Sequence, residues 1–316
     1  MKPIDVIIIG GGPAGISAAI WCKRLGINHL LLEKQEQLGG QLFEIKNEII
    51  DYPGVIAKDG KELQEFFVRH FKDIGCSYKQ NAEVLAVNST LKTIEVKCGN
   101  NIEQYPFQYI ILATGAGPAY LDVPGEKAMI TRGEMYSATT DAYLFRNKNV
   151  VIVGGGDRAF EGAILLAKAE ANVYLIHRST QFKAREEYID EAKKIHNIKI
   201  ITNAQVTRIH GEQKVTAVDY VNHKGKMCTL PSDAVFIRIG IKPNNTLIKQ
   251  IVKTNEKGLI VTDSFGKTGT SFIYAIGDIC TNPLFSSISS SVGQGMIVAK
   301  NLSLFLKGQY EGLREL

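Results

Sequence analysis

Hydrophobic residues along this chain follow two rhythms. Short unbroken apolar runs mark strands buried on both faces, and a spacing of about 3.6 residues marks the helices between them. Residues 4–9, Ile-Asp-Val-Ile-Ile-Ile, are the first run. A glycine turn follows at 10–15, then a helical pattern over 16–25, then a second run at 29–32 that ends on Glu33. The same succession returns with a run at 149–153, glycines at 154–156, a helical pattern over 160–168, and a run at 173–176 that ends on His177 and Arg178. Glu33 follows Gly12 by 21 residues, and His177 follows Gly156 by the same interval. Two matching registers in one chain are hard to ascribe to chance.

Between these units, 61–75 reads as an amphipathic helix, 82–106 alternates like a β-meander, and 109–113 is a short apolar strand ending in Ala113-Thr114-Gly115. Beyond the second unit come an alternating stretch at 215–230, a strand at 234–239, a strand at 272–276 closed by Gly277-Asp278, and a helix over about 289–306. The segments 115–118 and 240–245 carry the glycines and prolines of linkers. They enclose the second unit. The pattern predicts an α/β protein of two Rossmann-like, three-layer dinucleotide-binding domains with β-meander segments. The second domain, 115–245, is inserted into the first, 1–114 with 246–316.

The turns carry candidate chemistry. In the first, Gly10 permits a tight turn, Gly12 lets the backbone approach a diphosphate, and Gly15 allows close helix–strand packing, with Pro13 and Ala14 as further candidate contacts in the turn. The anion would sit on the helix N-terminus, and Glu33 would accept hydrogen bonds from a ribose hydroxyl. A glycine fingerprint alone is weak, but here strand, helix and acid stand where the site needs them. The second turn, with Gly154, Gly156, Asp157, Arg158 and Ala159, differs where specificity is set. It leads to His177, Arg178 and Lys183, with Arg185 beyond, rather than to an acid. Cations there suit a phosphate on the ribose. The difference in polarity suggests FAD at the first site and NADPH, in preference to NADH, at the second. Asp278 at a strand end would hold a ribityl hydroxyl or organise the diphosphate.

Composition narrows the reading. The 316 residues suit two domains, and a net charge of +5 is a mild lysine excess that agrees with anionic ligands or acidic partners. No basic run with aromatic neighbours points to nucleic acid. No apolar stretch approaches the roughly 20 residues of a membrane span. The five cysteines, Cys22, Cys76, Cys98, Cys228 and Cys280, show neither CxxC spacing nor an even count. That argues against a disulfide framework or metal cluster and for reduced thiols in a cytoplasmic protein. His70, His196, His210 and His223 have no metal-ligand spacing.

Taken together, Gly10 to Gly15, Leu38-Gly39-Gly40-Gln41-Leu42, Tyr52-Pro53-Gly54, Ala113-Thr114-Gly115-Ala116, Gly154 to Ala159, His177-Arg178 and Gly277-Asp278-Ile279 resemble, in order and over essentially the whole chain, the low-molecular-weight thioredoxin reductases. The resemblance implies a homodimer with non-covalent FAD and an inserted NADPH domain able to rotate. It adds Gly40, Gln41, Ala113, Thr114 and Gly115 to the expected flavin contacts.

The chain departs from that family at its redox centre. The family has two cysteines separated by two residues and followed by Asp. Here Ser137 and Thr140 hold the cysteine positions, with Asp141 retained. A hydroxyl pair cannot cycle between dithiol and disulfide. Asp141 is then either a proton donor near the flavin or a helix cap. The second Arg after His-Arg is Ser179, Arg158 and Gly162 replace a small polar residue and a Glu, and the stretch Leu284-Phe285-Ser286-Ser287 is one residue longer than the family's Arg-Gln region.

Electrons must then leave by another route. The dithiol-free relatives that match best are ferredoxin (flavodoxin)–NADP reductases of the thioredoxin-reductase-like type. These imply hydride exchange between nicotinamide C4 and flavin N5, then one-electron steps with an acidic carrier. They usually continue past the last helix with a flavin-covering segment. Here only 308–316 follows, with Tyr310 as the candidate stacking residue. Two alternatives stay open: an NAD(P)H-dependent flavin reductase of a small molecule, quinone or disulfide, and a flavoprotein redox partner without a working nicotinamide site.

Overall fold

The computed structural model describes residues 3–45 and 48–308, so Tyr310 lies outside the described residues. The chain forms two compact units, one of residues 1–117 with 242–316 and one of residues 118–241. The divisions stand at 117/118 and 241/242, against the expected 114/115 and 245/246.

The first unit opens with β1 (Ile4–Ile9), α1 (Pro13–Arg24), β2 (His29–Leu32) and α2 (Gly60–Asp73). Helix α1 begins at Pro13, three residues before the apolar spacing suggests, because proline is pre-set for the first helical position and its missing N–H is no loss there. Asp59 caps α2 by accepting the Glu62 N–H at 2.8 Å, and the helix buries Leu63 and Phe71.

Next come β3 (Tyr78–Lys79), β4 (Ala82–Asn88), β5 (Thr93–Cys98), β6 (Asn101–Leu112) and β7 (Ala116–Pro118). The run at 109–113 is not a separate strand. It is the end of β6, whose first half pairs antiparallel with β5 and whose second half pairs parallel with β1. Pro106 sits at the changeover, opposite Thr93 at the end of β5, where a missing donor disturbs least.

The second unit holds α3 (Glu126–Thr131), α4 (Ala138–Asp141), β8 (Asn149–Gly154), α5 (Asp157–Lys168), β9 (Asn172–Ile176), α6 (Glu186–Lys194) and β10 (Ile198–Ile201). It continues with β11 (Gln205–His210), β12 (Ala217–Val221), β13 (Met227–Pro231) and β14 (Ala234–Arg238). Strands β10-β9-β8-β14 form a parallel sheet, and β11-β12-β13 form an antiparallel one. The alternation at 215–230 is thus two of three strands; β11, with polar residues interrupting its apolar ones, was not legible.

The chain returns to the first unit through β15 (Ile241–Pro243), which pairs with β7, and then forms β16 (Ile273–Ala275) and α7 (Ile288–Leu306). Strand β16 pairs parallel with β6, completing a parallel layer β3-β2-β1-β6-β16. Val6, Ile7 and Ile8 at its centre are fully buried, each stabilising the unit by about 1.5–3 kcal/mol. Helix α7 lies against α1 at Gly295, where a Cβ would stand 2.7 Å from the Ala14 carbonyl oxygen, and the Ser17 hydroxyl donates to the Val292 carbonyl at 2.7 Å. The architecture is α/β, two Rossmann-like units with mixed sheets. Among the described residues, no helix is long and apolar enough to cross a membrane, and no group of His, Cys, Asp or Glu is placed to hold a metal ion.

Candidate functional site

In the first unit the expected residues converge on the N-terminus of α1. Gly10 has φ +109° and lies so close to the Ala113 carbonyl that a Cβ would overlap it. Gly15 likewise sits against the Gly10 carbonyl. Gly12 is different: a Cβ there would meet nothing nearer than Gly40 Cα at 4.0 Å. No side chain caps α1, so its first-turn N–H groups face that opening. An uncapped helix end behind an unfilled glycine is a cradle shaped for a diphosphate.

The rim of the cradle is tied together. Glu33 is buried, and its Oε2 accepts the Gly11 N–H at 2.7 Å. Gln41 Nε2 donates to Asp278 Oδ2 at 2.8 Å, and the Ser286 hydroxyl donates to Asp278 Oδ1. Gly277 N–H donates to Gln294 Oε1 at 2.6 Å, which fixes the turn that presents Asp278. Thr114 Oγ1 donates to the Asn244 carbonyl at 2.9 Å, and Asn244 Nδ2 returns a bond to the Thr114 carbonyl at 2.8 Å. A Cβ on Gly115 would face Gln41 Nε2 at 3.6 Å, so Gly115, Gln41 and Asp278 stand together. Ser286, Gln294 and Asn244 were not legible in the sequence. Each acts through a neighbour more than a dozen residues away or sits in a region where the family pattern breaks, and no local signal marks them.

The second unit repeats the cradle with different chemistry. Gly154 abuts the Arg238 carbonyl, no side chain caps α5, and Gly156 is open. His177 stands where Glu33 stands in the first unit, but its ring packs over Gly155, with ring atoms 2.5 Å from where a Cβ would be. Its Nε2 lies 3.1 Å from both the Gln181 carbonyl and the Ser179 hydroxyl. Lys183 N–H donates to the Gly155 carbonyl at 2.8 Å, folding the segment after β9 back onto the turn. Asp157 accepts the Arg185 N–H at 2.8 Å and Arg185 Nε at 3.2 Å, so the one acid of the turn is neutralised. Arg158, Arg178 and Lys183 are exposed and form no ion pair among the described residues. Ala159 is buried in the core under the turn.

Ser137 precedes α4 and Thr140 lies within it. Asp141 Oδ2 accepts the Ser137 N–H at 2.8 Å, and Oδ1 accepts the Thr140 hydroxyl at 2.9 Å. Both carboxylate oxygens are engaged in their own turn. All five cysteines are free. Burial pushes Cys22 up to about 12, with Cys76 adding to the rise, and pushes Cys76 and Cys280 up to about 11. Such thiols are protonated and inert.

Comparison with known proteins agrees with this architecture. The family model described as pyridine nucleotide-disulphide oxidoreductase matches residues 4–295. The "34.2 kDa protein in rubredoxin operon" of Clostridium pasteurianum is 32% identical over 98% of this chain and 99% of its own length. A component of alkyl hydroperoxide reductase from Staphylococcus aureus is 32% identical over 95% of this chain, which spans only 58% of that protein. Among solved structures, Lactococcus lactis thioredoxin reductase in its FR conformation superposes with TM-score 0.78 at 30% identity, covering 96% of this chain and 99% of that one. The thioredoxin reductase of T. acidophilum gives TM-score 0.76 at 33% identity over 97% of this chain and all of that one. This chain therefore belongs to the pyridine nucleotide-disulphide oxidoreductase family, as a thioredoxin-reductase-like, flavin-dependent oxidoreductase that binds FAD and NAD(P)H.

Proposed function

We propose that this protein takes electrons from NADPH and passes them, without a dithiol relay, to a small one-electron redox protein of the ferredoxin, flavodoxin or rubredoxin kind. The observation that carries this reading is the pair of hydroxyls, Ser137 and Thr140, at the positions where thioredoxin reductases hold their cysteines. No other thiol takes their place: the five cysteines are unpaired, and three are held protonated. FAD supplies the change of electron number, accepting two electrons together and releasing them singly.

In this reading the residues of the first unit bind and orient. Gly10, Gly12, Pro13, Ala14 and Gly15 receive the flavin diphosphate on α1, Glu33 takes a ribose hydroxyl, and Gly40, Gln41, Ala113, Thr114, Gly115 and Asp278 line the path toward the ring. In the second unit Gly154, Gly156, Asp157 and Ala159 form the nicotinamide cradle, and Arg178 and Lys183 beside His177 receive the 2′-phosphate. Asp141 holds the turn of Ser137 and Thr140. The division between units is that between a FAD-binding body and an NADPH-binding insertion. The relative in a rubredoxin operon supports a small carrier as partner, and the net charge of +5 suits an acidic one.

The test is anaerobic. The yellow protein is mixed with NADPH and with NADH, and bleaching is followed; ferredoxin, flavodoxin or rubredoxin is then added and its own absorbance is followed. Reduction of at least one carrier well above the rate with free flavin is expected. Bleaching without transfer to any of the three would sink the carrier reading, and no bleaching with either nucleotide would sink the reductase reading as well.

A further inference from the structure

At the carboxyl edge of the β10-β9-β8-β14 sheet, successive strands run outward from β8 to β10, and the chain then crosses to place β14 on the other side of β8. The gap between β8 and β14 is the topological switch point, where open α/β sheets receive their ligands. Its two lips are Gly154 and Arg238, which are register partners.

Arg238 is an unusual residue for this place. Its side chain is partly buried, with the guanidinium 5.5 Å from the Phe236 ring centroid. Nη2 donates to the Tyr136 carbonyl at 2.7 Å and Nη1 to the Ile237 carbonyl at 3.0 Å. Both acceptors are neutral, and a guanidinium has five N–H donors, so capacity is left over. Arg158, the second residue of α5, is the neighbouring charge, and among the described residues neither arginine pairs with a carboxylate. Burial, and after it the Arg158 charge, pull the Arg238 guanidinium below its ordinary value. Two cations that feel one another beside an uncapped helix N-terminus are held at a cost, which a shared anion would remove.

We propose that Arg238 and Arg158 clamp the diphosphate bridge of the nicotinamide dinucleotide from the β14 side of the cradle. This rests on the reading of the second unit as a nicotinamide site. It separates two cationic functions. Arg178 and Lys183, after β9, address the phosphate on the adenosine ribose and so favour NADPH. Arg238 and Arg158 address the bridge common to both nucleotides and set affinity without choosing between them.

Calorimetry on the FAD-loaded protein tests this with NADP⁺, NAD⁺ and 2′-AMP, which carries the ribose phosphate but no bridge. Arg238→Met and Arg158→Ala should each weaken NADP⁺ and NAD⁺ by the same factor, about tenfold, and leave 2′-AMP unchanged. Nucleotide binding as tight as in the wild type would overturn the inference, as would an equal loss of 2′-AMP. Should Arg238→Met fail to fold, Arg158→Ala, at an exposed position, carries the same expectation. Wild-type protein that binds neither dinucleotide would overturn the nicotinamide reading and the inference together, whereas wild-type binding with indifferent variants overturns the inference alone.

Discussion

Glu33 and Gly11 are tied across the first nucleotide turn, the carboxylate Oε2 accepting the Gly11 N–H at 2.7 Å while Oε1 accepts the Gln35 N–H at 2.8 Å. The acid that is positioned for a ribose thus also holds the turn in shape. Glu33→Ala leaves a buried donor without a partner, at a cost of about 1–3 kcal/mol. The expected result is a lower urea midpoint for the flavin-free variant than for flavin-free wild type, together with weaker FAD retention. Equal midpoints would mean that the acid serves the ligand alone.

Gly12 and Gly15 should fail in different ways. A methyl on Gly15 runs into the Gly10 carbonyl, so Gly15→Ala should lose about 3 kcal/mol or more and accumulate as insoluble protein. Gly12 has φ −76° and free space to 4.0 Å, so Gly12→Ala should fold with a flavin-free thermal midpoint within about 2 °C of wild type. Its methyl points into the cradle, and the variant should purify colourless. A yellow, stable Gly12→Ala protein would move the diphosphate elsewhere.

The thiols offer a direct check on a route without sulfur. Titration in denaturant should count five free thiols before turnover with NADPH and five after it. In the native state near pH 8, alkylation should spare Cys22, Cys76 and Cys280, whose thiols lie at about 12, 11 and 11, because only the thiolate reacts. A cystine that forms and disappears during cycling would contradict the assignment of Ser137 and Thr140.

His29 should leave a mark on acid stability. Its Nδ1 lies 3.0 Å from the Ile27 carbonyl, and its buried Nε2 has no partner. Burial, partly offset by that bond, lowers its pKa. The unfolded chain therefore takes up a proton near pH 6.5 that the folded chain still refuses. Stability is unaffected by His29 above that value and falls as pH drops through it toward the lower folded pKa. The urea midpoint should decline as pH falls below about 6.5, and less steeply in His29→Gln. Parallel slopes in the two proteins would exclude His29 as the source.

Arg178 tests nucleotide choice. It is exposed and unpaired among the described residues, so Arg178→Ala should keep the wild-type melting temperature. The KM for NADPH should rise about tenfold, with little change for NADH. Equal effects on the two would deny it the ribose phosphate.

The two cradles were legible because strand, glycine turn and helix are contiguous, and because buried parallel strands write themselves as unbroken apolar runs. What escaped was made by distance in sequence. Asn244 reaches Thr114 across 130 residues and Gln294 reaches Gly277 across 17, each through a side chain of common type, while Ser286, eight residues from Asp278, sits where the family pattern breaks. Strand β6 was read as two pieces, the end of the alternating stretch 82–106 and the unbroken run 109–113, and its change of partner from β5 to β1 explains why the rhythm changes along one strand. Arg238 was hidden for another reason: inside the run 234–239 it reads as a single charged position, and of the two carbonyls that hold it, that of Tyr136 lies 102 residues away.

The paired ribbon of β7 and β15 has a bearing on how such a chain could have been assembled. Asn244 N–H reaches the Gly115 carbonyl at 3.0 Å, and Ala119 N–H reaches the Gly240 carbonyl at 3.0 Å, so the outgoing and returning strands run side by side. For the host body, the whole insertion is topologically no more than a hairpin loop grown large. Acquiring, exchanging or deleting it would need only a short splice between neighbouring backbones, and the closure entropy of that splice changes slowly with the length inserted.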